Sequence, residues 1–262
     1  MVLLKSQTNK LTQETLSKPA PPSTRFHPSS DDALHASFHQ PPSLRGLESL
    51  KSNLPYLEQI NASPRVFRIR NLLTKQECEH LMLLAFRKGL SKTMIMPYGT
   101  HKLVESTTRT NDGAWLDFLQ DDVVRRLEET LGKLTKTTPQ QGENLQVLHY
   151  SNGAQFFQEH YDYFDPARDP PESFEQGGNR YITVIVYLEA ALEGGETHFP
   201  ELGLKLTAQP GDALMFYNLK EHCSGTDPDC VEKKTIHAAL PPVRGEKWVA
   251  VKWIHEKPYQ KG

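Results

Sequence analysis

The chain is poor in cysteine, carries no excess of either charge and contains no long apolar run. Its 262 residues include three cysteines, Cys78, Cys223 and Cys230, and none is spaced for a structural zinc. Cys223 and Cys230 flank a Gly/Asp/Pro loop and could pair if oxidised, but the low, odd count favours free thiols in a reducing compartment. A formal net charge of −2, without a basic run, gives nucleic acid no electrostatic footprint. No stretch approaches the roughly 18 apolar residues of a membrane span, which excludes a transmembrane helix. The opening MVLLKSQTNK is too briefly apolar for a secretory signal, and the closing KPYQKG is no retention signal. The expected location is cytoplasmic, or organellar through a weak transit peptide, since Lys5, Lys10, Lys18 and Arg25 outnumber Glu14 near the start. The Asn61-Ala62-Ser63 sequon is read as coincidental without a secretory signal.

Residues 1–60 are rich in Pro, Ser, Thr, Gln and His, and PAPPS and QPPS interrupt any regular element. This part is expected to be a mostly disordered extension, with His35 and His39 solvated. A folded domain is expected over residues 61–262. Val66–Arg70 alternates like a strand, and Thr74 to Glu77 forms a capping box. Behind the box, Cys78, Leu81, Met82, Ala85 and Phe86 fall at helical spacing and predict core contacts. A second amphipathic helix is predicted within Ala114–Leu134 through Leu116, Leu119, Val123, Leu127 and Leu131. After Gly142 the period changes to two. Short β-rich runs at 145–150, 156–162, 181–188, 196–199, 204–208, 212–217, 234–240 and 247–254 alternate with turns, the pattern of a sandwich or barrel.

Within this block His160 and Asp162, in HYDYF, are two apart and share a face if the run is a strand. His237, in TIHAAL, lies in a second β-prone stretch. Two imidazoles and a carboxylate can hold a metal on one side and leave the other side open. An HxD pair alone carries no weight, because composition supplies such pairs by chance. In GEKWVAVKW, Lys247, Val249, Val251 and Trp253 share one face and Trp248, Ala250 and Lys252 the other. A lysine on the mostly apolar face requires a negative partner, which a bound dicarboxylate would supply.

The ordered fragments PRVFRIRNLLTKQECEHL, STTRTNDGAWL, LQVLHY, HYDYFD, GGNRYITVIVYL, GGETHFP, PGDALMFYNL and HAALPPVRGEKWVAVKWIHE resemble the prolyl 4-hydroxylase family of Fe(II)/2-oxoglutarate dioxygenases, in its plant, algal and collagen-type branch, from about Pro64 to Glu256. The resemblance implies a mainly β fold: a double-stranded β-helix (jelly-roll) core preceded by an N-terminal α/β region. It implies His160, Asp162 and His237 as iron ligands, and Lys247 with Tyr150 and Thr197 around 2-oxoglutarate. It also places Trp253 beside the metal and Arg180 and Arg109 against a peptide. Fe(II), 2-oxoglutarate, O2 and ascorbate as reductant would serve hydroxylation of prolyl residues in a peptide or protein. The sequence departs from the family in three places: one extra residue in YSNGAQFFQEH, Phe157 where a tyrosine is common, and Leu240 where a cysteine is usual. A secretory signal or anchor, usual in the family, is also not seen, which points away from cell-wall glycoprotein or collagen as substrate. A free amino acid or other small molecule is the alternative substrate on this scaffold. Outside the class stand a zinc hydrolase using the same three ligands, which leaves Lys247 without a task, and an inactive peptide-binding module.

Overall fold

The computed structural model describes residues 54–97, 99–100, 102–151 and 153–260. The extension expected over 1–60 therefore lies, up to residue 53, outside the described residues, as do His35 and His39. The described residues begin with an antiparallel pair, β1 (Tyr56–Asn61) and β2 (Val66–Arg70). α1 (Lys75–Lys88), β3 (Ser91–Lys92), β4 (Asp112–Leu116) and α2 (Asp122–Thr135) follow. The remaining strands are β5 (Leu145–Tyr150), β6 (Phe157–His160), β7 (Arg180–Glu189), β8 (Glu193–Gly194), β9 (Thr197–Phe199), β10 (Leu204–Leu206), β11 (Ala213–Tyr217), β12 (His237–Ala239), β13 (Pro242–Arg244) and β14 (Lys247–His255).

The Thr74 capping box forms as predicted: Glu77 N donates to Thr74 Oγ1 and Thr74 N donates to Glu77 Oε2. α1 then buries Cys78, Leu81 and Ala85. Phe86, expected in the core, is 71 % exposed, because one residue past Ala85 rotates about 100° to the flank of the stripe. The second helix starts later than predicted. Asp121 caps it by accepting from Val123 and Val124 N. Leu116 belongs instead to β4, where buried Ala114 and Leu116 alternate with half-exposed Trp115, a period of two. Leu119 lies in a left-handed turn.

The major sheet runs β1-β2-β11-β7-β14-β5-β4-β3 and the minor sheet β10-β9-β12-β6, all pairs antiparallel. This is the jelly-roll arrangement that the family resemblance implied, and it accommodates the run of short strands. On one side of the major sheet Val184, Val186, Ala250 and Ile254 pack against Leu81 of α1 and Leu127 and Leu131 of α2. On the other, Tyr150, Ile185, Tyr187, Val249, Val251 and Trp253 pack towards Phe199 of the minor sheet. The parity expected of β14 is therefore observed: its odd-numbered residues from 247 to 253 face the space between the sheets. Lys252 points the other way and meets Glu128 of α2 at 2.9 Å.

Cys223 and Cys230 form a disulfide, contrary to the expectation of free thiols. The loop folds back through the Leu219–Val231 bridge and the bond from Lys220 N to Cys230 O. This brings the two Cα atoms to 5.4 Å, within disulfide reach. Cys78 is free and buried. No helix among the described residues is long and apolar enough to cross a membrane.

Candidate metal centre and cosubstrate cavity

Strand pairing joins the three candidate ligands. β12 runs antiparallel to β6 with His237 directly opposite His160, so their rings lie 4.3 Å apart between centroids. Asp162 is not in the same strand as His160, as the spacing had suggested. β6 ends at His160, and Asp162 follows in irregular chain that turns its carboxylate back between the rings. His160 Nε2 lies 3.6 Å from Asp162 Oδ1 and His237 Nε2 lies 3.6 Å from Oδ2. One ligand atom from each residue falls within 4.8 Å of the other two.

The hydrogen bonds set the tautomers of the two histidines. His160 Nδ1 is 2.8 Å from the Gln158 carbonyl and His237 Nδ1 is 3.0 Å from the Thr235 carbonyl. A carbonyl only accepts, so each Nδ1 carries a proton, and in the neutral ring the Nε2 lone pair faces inward. Burial, reinforced by His160, pushes His237 down to about 4, which keeps it neutral. Burial opposes ionisation of Asp162, but His237, His160 and Arg180 outweigh it and hold the carboxyl well below the usual carboxylate range. Two imidazole nitrogens and one anionic oxygen form a donor set that suits a divalent transition metal such as Fe(II).

The cavity behind these ligands is walled by β14, β5 and the minor sheet. Lys247 pairs in register with Tyr150 and is 1 % exposed. Its Nζ lies 5.3 Å from the Tyr150 ring and 5.5 Å from the Tyr187 ring. Among the described residues no carboxylate is within ion-pair distance of it. Burial, partly offset by Glu196, pushes this ammonium down to about 7. Burial also raises Tyr150 to about 12, so it stays a neutral phenol. Thr197 Oγ1 lines the same cavity and is hydrogen-bonded to Tyr187 Oη at 2.8 Å. A buried ammonium in a cavity also lined by Tyr150 and Thr197, with no carboxylate at ion-pair distance among the described residues, fits a bound carboxylate.

Comparison with known proteins agrees with this chemistry. The 2OG-Fe(II) oxygenase superfamily matches residues 145–255. The chain is 35 % identical over 221 residues to "Probable prolyl 4-hydroxylase 7" of Arabidopsis thaliana, covering 78 % of this chain and 66 % of that one. It is 35 % identical over 224 residues to "Probable prolyl 4-hydroxylase 6" of the same plant, covering 78 % and 74 %. The chain belongs to the prolyl 4-hydroxylase family. Among solved structures, a viral collagen prolyl hydroxylase of Paramecium bursaria Chlorella virus-1 in complex with 2OG superposes with a TM-score of 0.55 at 25 % identity, covering 72 % of this chain and 94 % of that one.

In this prolyl 4-hydroxylase family member His160 and Asp162 open onto a groove of about 690 Å³. Trp253 lines both cavity and groove, and its buried indole N–H has no acceptor among the described residues. Arg180 stacks on it at 4.2 Å but is otherwise committed: it makes a two-pronged pair with Glu143 at 2.6 and 3.1 Å and donates to the Asp162 carbonyl. Burial opposes ionisation of Glu143, yet Arg180 and His255 bring it down to about 2. Arg109 lies over Phe157 at 4.6 Å and donates to Gln146 and the Met94 carbonyl. Phe157 in turn stacks on His160 at 3.5 Å. The sequence reading missed Tyr187, Gln146, Glu143, Thr183 and Asn218. Parity held a signal for three of them: Thr183 and Tyr187 lie on the same β7 face as Ile185, and Gln146 on the same β5 face as Tyr150.

Proposed function

We propose that the protein hydroxylates prolyl residues in a peptide or protein, using Fe(II), 2-oxoglutarate and O2. One observation carries the reading: a metal-competent His160/Asp162/His237 set shares a cavity with the buried ammonium of Lys247, which no carboxylate among the described residues approaches to ion-pair distance. Bound iron and 2-oxoglutarate, with O2, supply the oxidising power that puts a hydroxyl on an unactivated carbon as 2-oxoglutarate is decarboxylated to succinate.

The chain's own residues do the rest. His160, Asp162 and His237 hold the metal, and their carbonyl-anchored Nδ1–H groups fix the ring planes. Lys247 meets the distal carboxylate of 2-oxoglutarate, with the Tyr150 and Thr197 hydroxyls beside it. The apolar wall of Val249 and Val251 keeps bulk water from that end of the cavity. On the groove side, Met94, Trp115, Tyr161 and Tyr163 offer the aromatic and flexible apolar surface that receives an extended, proline-containing segment. Trp253 offers its free N–H to a substrate carbonyl, and Arg109 and Arg180 form the polar floor beneath it. The names of the relatives support a prolyl substrate.

The test is anaerobic titration of the full chain with Fe(II) and 2-oxoglutarate, followed by O2 and a panel of proline-containing peptides. Succinate formation coupled to the gain of one oxygen on a peptide proline is the expected result. Succinate without any hydroxylated peptide, but with a hydroxylated free amino acid, would move the substrate to the small-molecule class.

A further inference from the structure

Asp162 is the only anionic ligand of the three, and one of its two oxygens is already engaged. Thr183 Oγ1 lies 2.8 Å from Asp162 Oδ2, and Asn218 Nδ2 lies 2.9 Å from Thr183 Oγ1. Both residues are fully buried. The proton order is forced. A carboxylate only accepts, so the single hydroxyl proton of Thr183 goes to Asp162. The hydroxyl oxygen then accepts, and only the amide nitrogen of Asn218 can donate to it.

Asn218 is held by its main chain between two elements. Its N–H donates to the Tyr181 carbonyl of β7, and its carbonyl accepts from Glu232 N. Glu232 begins the segment that ends at the second histidine: Thr235 Oγ1 donates to the Glu232 carbonyl and His237 Nδ1 donates to the Thr235 carbonyl. Two metal ligands are therefore set from one short piece of backbone.

We propose that Thr183 and Asn218 are positioning residues for the metal: Asn218 orients the Thr183 hydroxyl, which occupies Asp162 Oδ2 and leaves Oδ1 free for the ion. This rests on the metal-centre reading given above. Outer partners of this kind govern metal affinity about 10- to 100-fold.

The experiment uses the metal-free full chain titrated anaerobically with Mn(II), a redox-stable stand-in, with unbound Mn(II) read by electron paramagnetic resonance. Melting of each metal-free variant is recorded alongside. Thr183→Val keeps the shape and loses the hydroxyl, and is expected to weaken Mn(II) binding about 10- to 100-fold with little change in metal-free melting. Thr183→Ser should retain binding near that of the unaltered chain. Asn218→Leu should weaken binding by a second route, and combining it with Thr183→Val should add little, because Asn218 acts through Thr183. Unaltered Mn(II) affinity in Thr183→Val, alongside lost affinity in a His160→Ala control, overturns the positioning role and leaves the metal centre standing. Unaltered affinity in His160→Ala overturns the metal centre itself, and this proposal with it.

Discussion

Removing the ammonium of Lys247 should separate stability from function in opposite directions. Lys247 is 1 % exposed, and burial lowers its pKa from 10.5 to about 7. At about 1.4 kcal/mol per unit, holding the charge in the cavity without a partner costs roughly 4–5 kcal/mol. A carboxylate at Nζ relieves that cost and adds a charge-assisted hydrogen bond of about 1.5–3 kcal/mol or more. Lys247→Ala should raise the KM for 2-oxoglutarate by about ten- to more than a hundredfold and leave metal binding nearly intact. Lys247→Arg should also be impaired, since a planar fork does not fit the space of a point charge. Lys247→Met fills the volume without charge, so the ligand-free protein should become more stable by about a few kcal/mol near pH 7. The pH dependence supplies a second check. Between pH 7 and 10.5 the folded state holds fewer protons at this site than the unfolded chain. Its contribution is therefore complete above the unfolded pKa and lost as pH falls through about 7. That rise in stability with pH should vanish in Lys247→Met. Succinate formation against 2-oxoglutarate concentration and melting against pH are the assays. An unchanged KM in Lys247→Ala, or a destabilised Lys247→Met, would refute the reasoning.

His160→Ala, Asp162→Ala and His237→Ala should each abolish turnover at saturating iron while melting stays close to that of the unaltered chain; full activity in any one removes that residue from the metal centre. The Lys252–Glu128 pair is 2.9 Å apart, with side chains 2 % and 0 % exposed, so Glu128→Gln should cost about 3–5 kcal/mol, whereas replacing both partners by apolar residues should recover most of the loss; denaturant unfolding measures both. The Cys223–Cys230 bond closes a loop of sequence separation 7, and Cys230→Ser should destabilise the fold by about 2–3 kcal/mol, read as a lower melting temperature that a reductant no longer changes.

The parts legible in the sequence were those governed by local periodicity. The alternation of Lys247, Val249, Val251 and Trp253 gave the cavity wall because a strand buried between two sheets cannot hide its parity. The Thr74 capping box gave the start of α1 because both of its hydrogen bonds are local. The failures came where tertiary pairing overrode a local pattern. Leu116 fits a helical stripe, but Ala114 pairs in register with Val147 of β5, and the ladder takes the segment. Asp162 appeared to share a strand with His160, yet the strand ends there, and the carboxylate is placed by Thr183 from 21 residues away. The family resemblance named the candidate ligands; the contacts that orient them lie too far along the chain for spacing to show. The disulfide was missed for a related reason: cysteine count speaks of compartment, whereas pairing depends on the return of the loop through Leu219 and Val231.

β14 carries two buried lysines five residues apart, and their difference shows how the fold separates structure from chemistry. Burial lowers the pKa of each. Odd spacing puts them on opposite faces of one strand. Lys252 faces the helices and meets Glu128, which raises it again, so its charge is answered from within the chain. Lys247 faces the cavity, where Glu196 gives only partial relief and no carboxylate approaches to ion-pair distance among the described residues. A cation with a built-in partner stabilises packing; one held in an apolar wall without a partner stores a cost that only a ligand of opposite charge removes. The counter-ion missing on one face, rather than the lysine itself, marks that side of β14 as the binding side. It follows that a carboxylate placed beside Lys247, for example by Val249→Asp, should stabilise the ammonium and compete with 2-oxoglutarate for it.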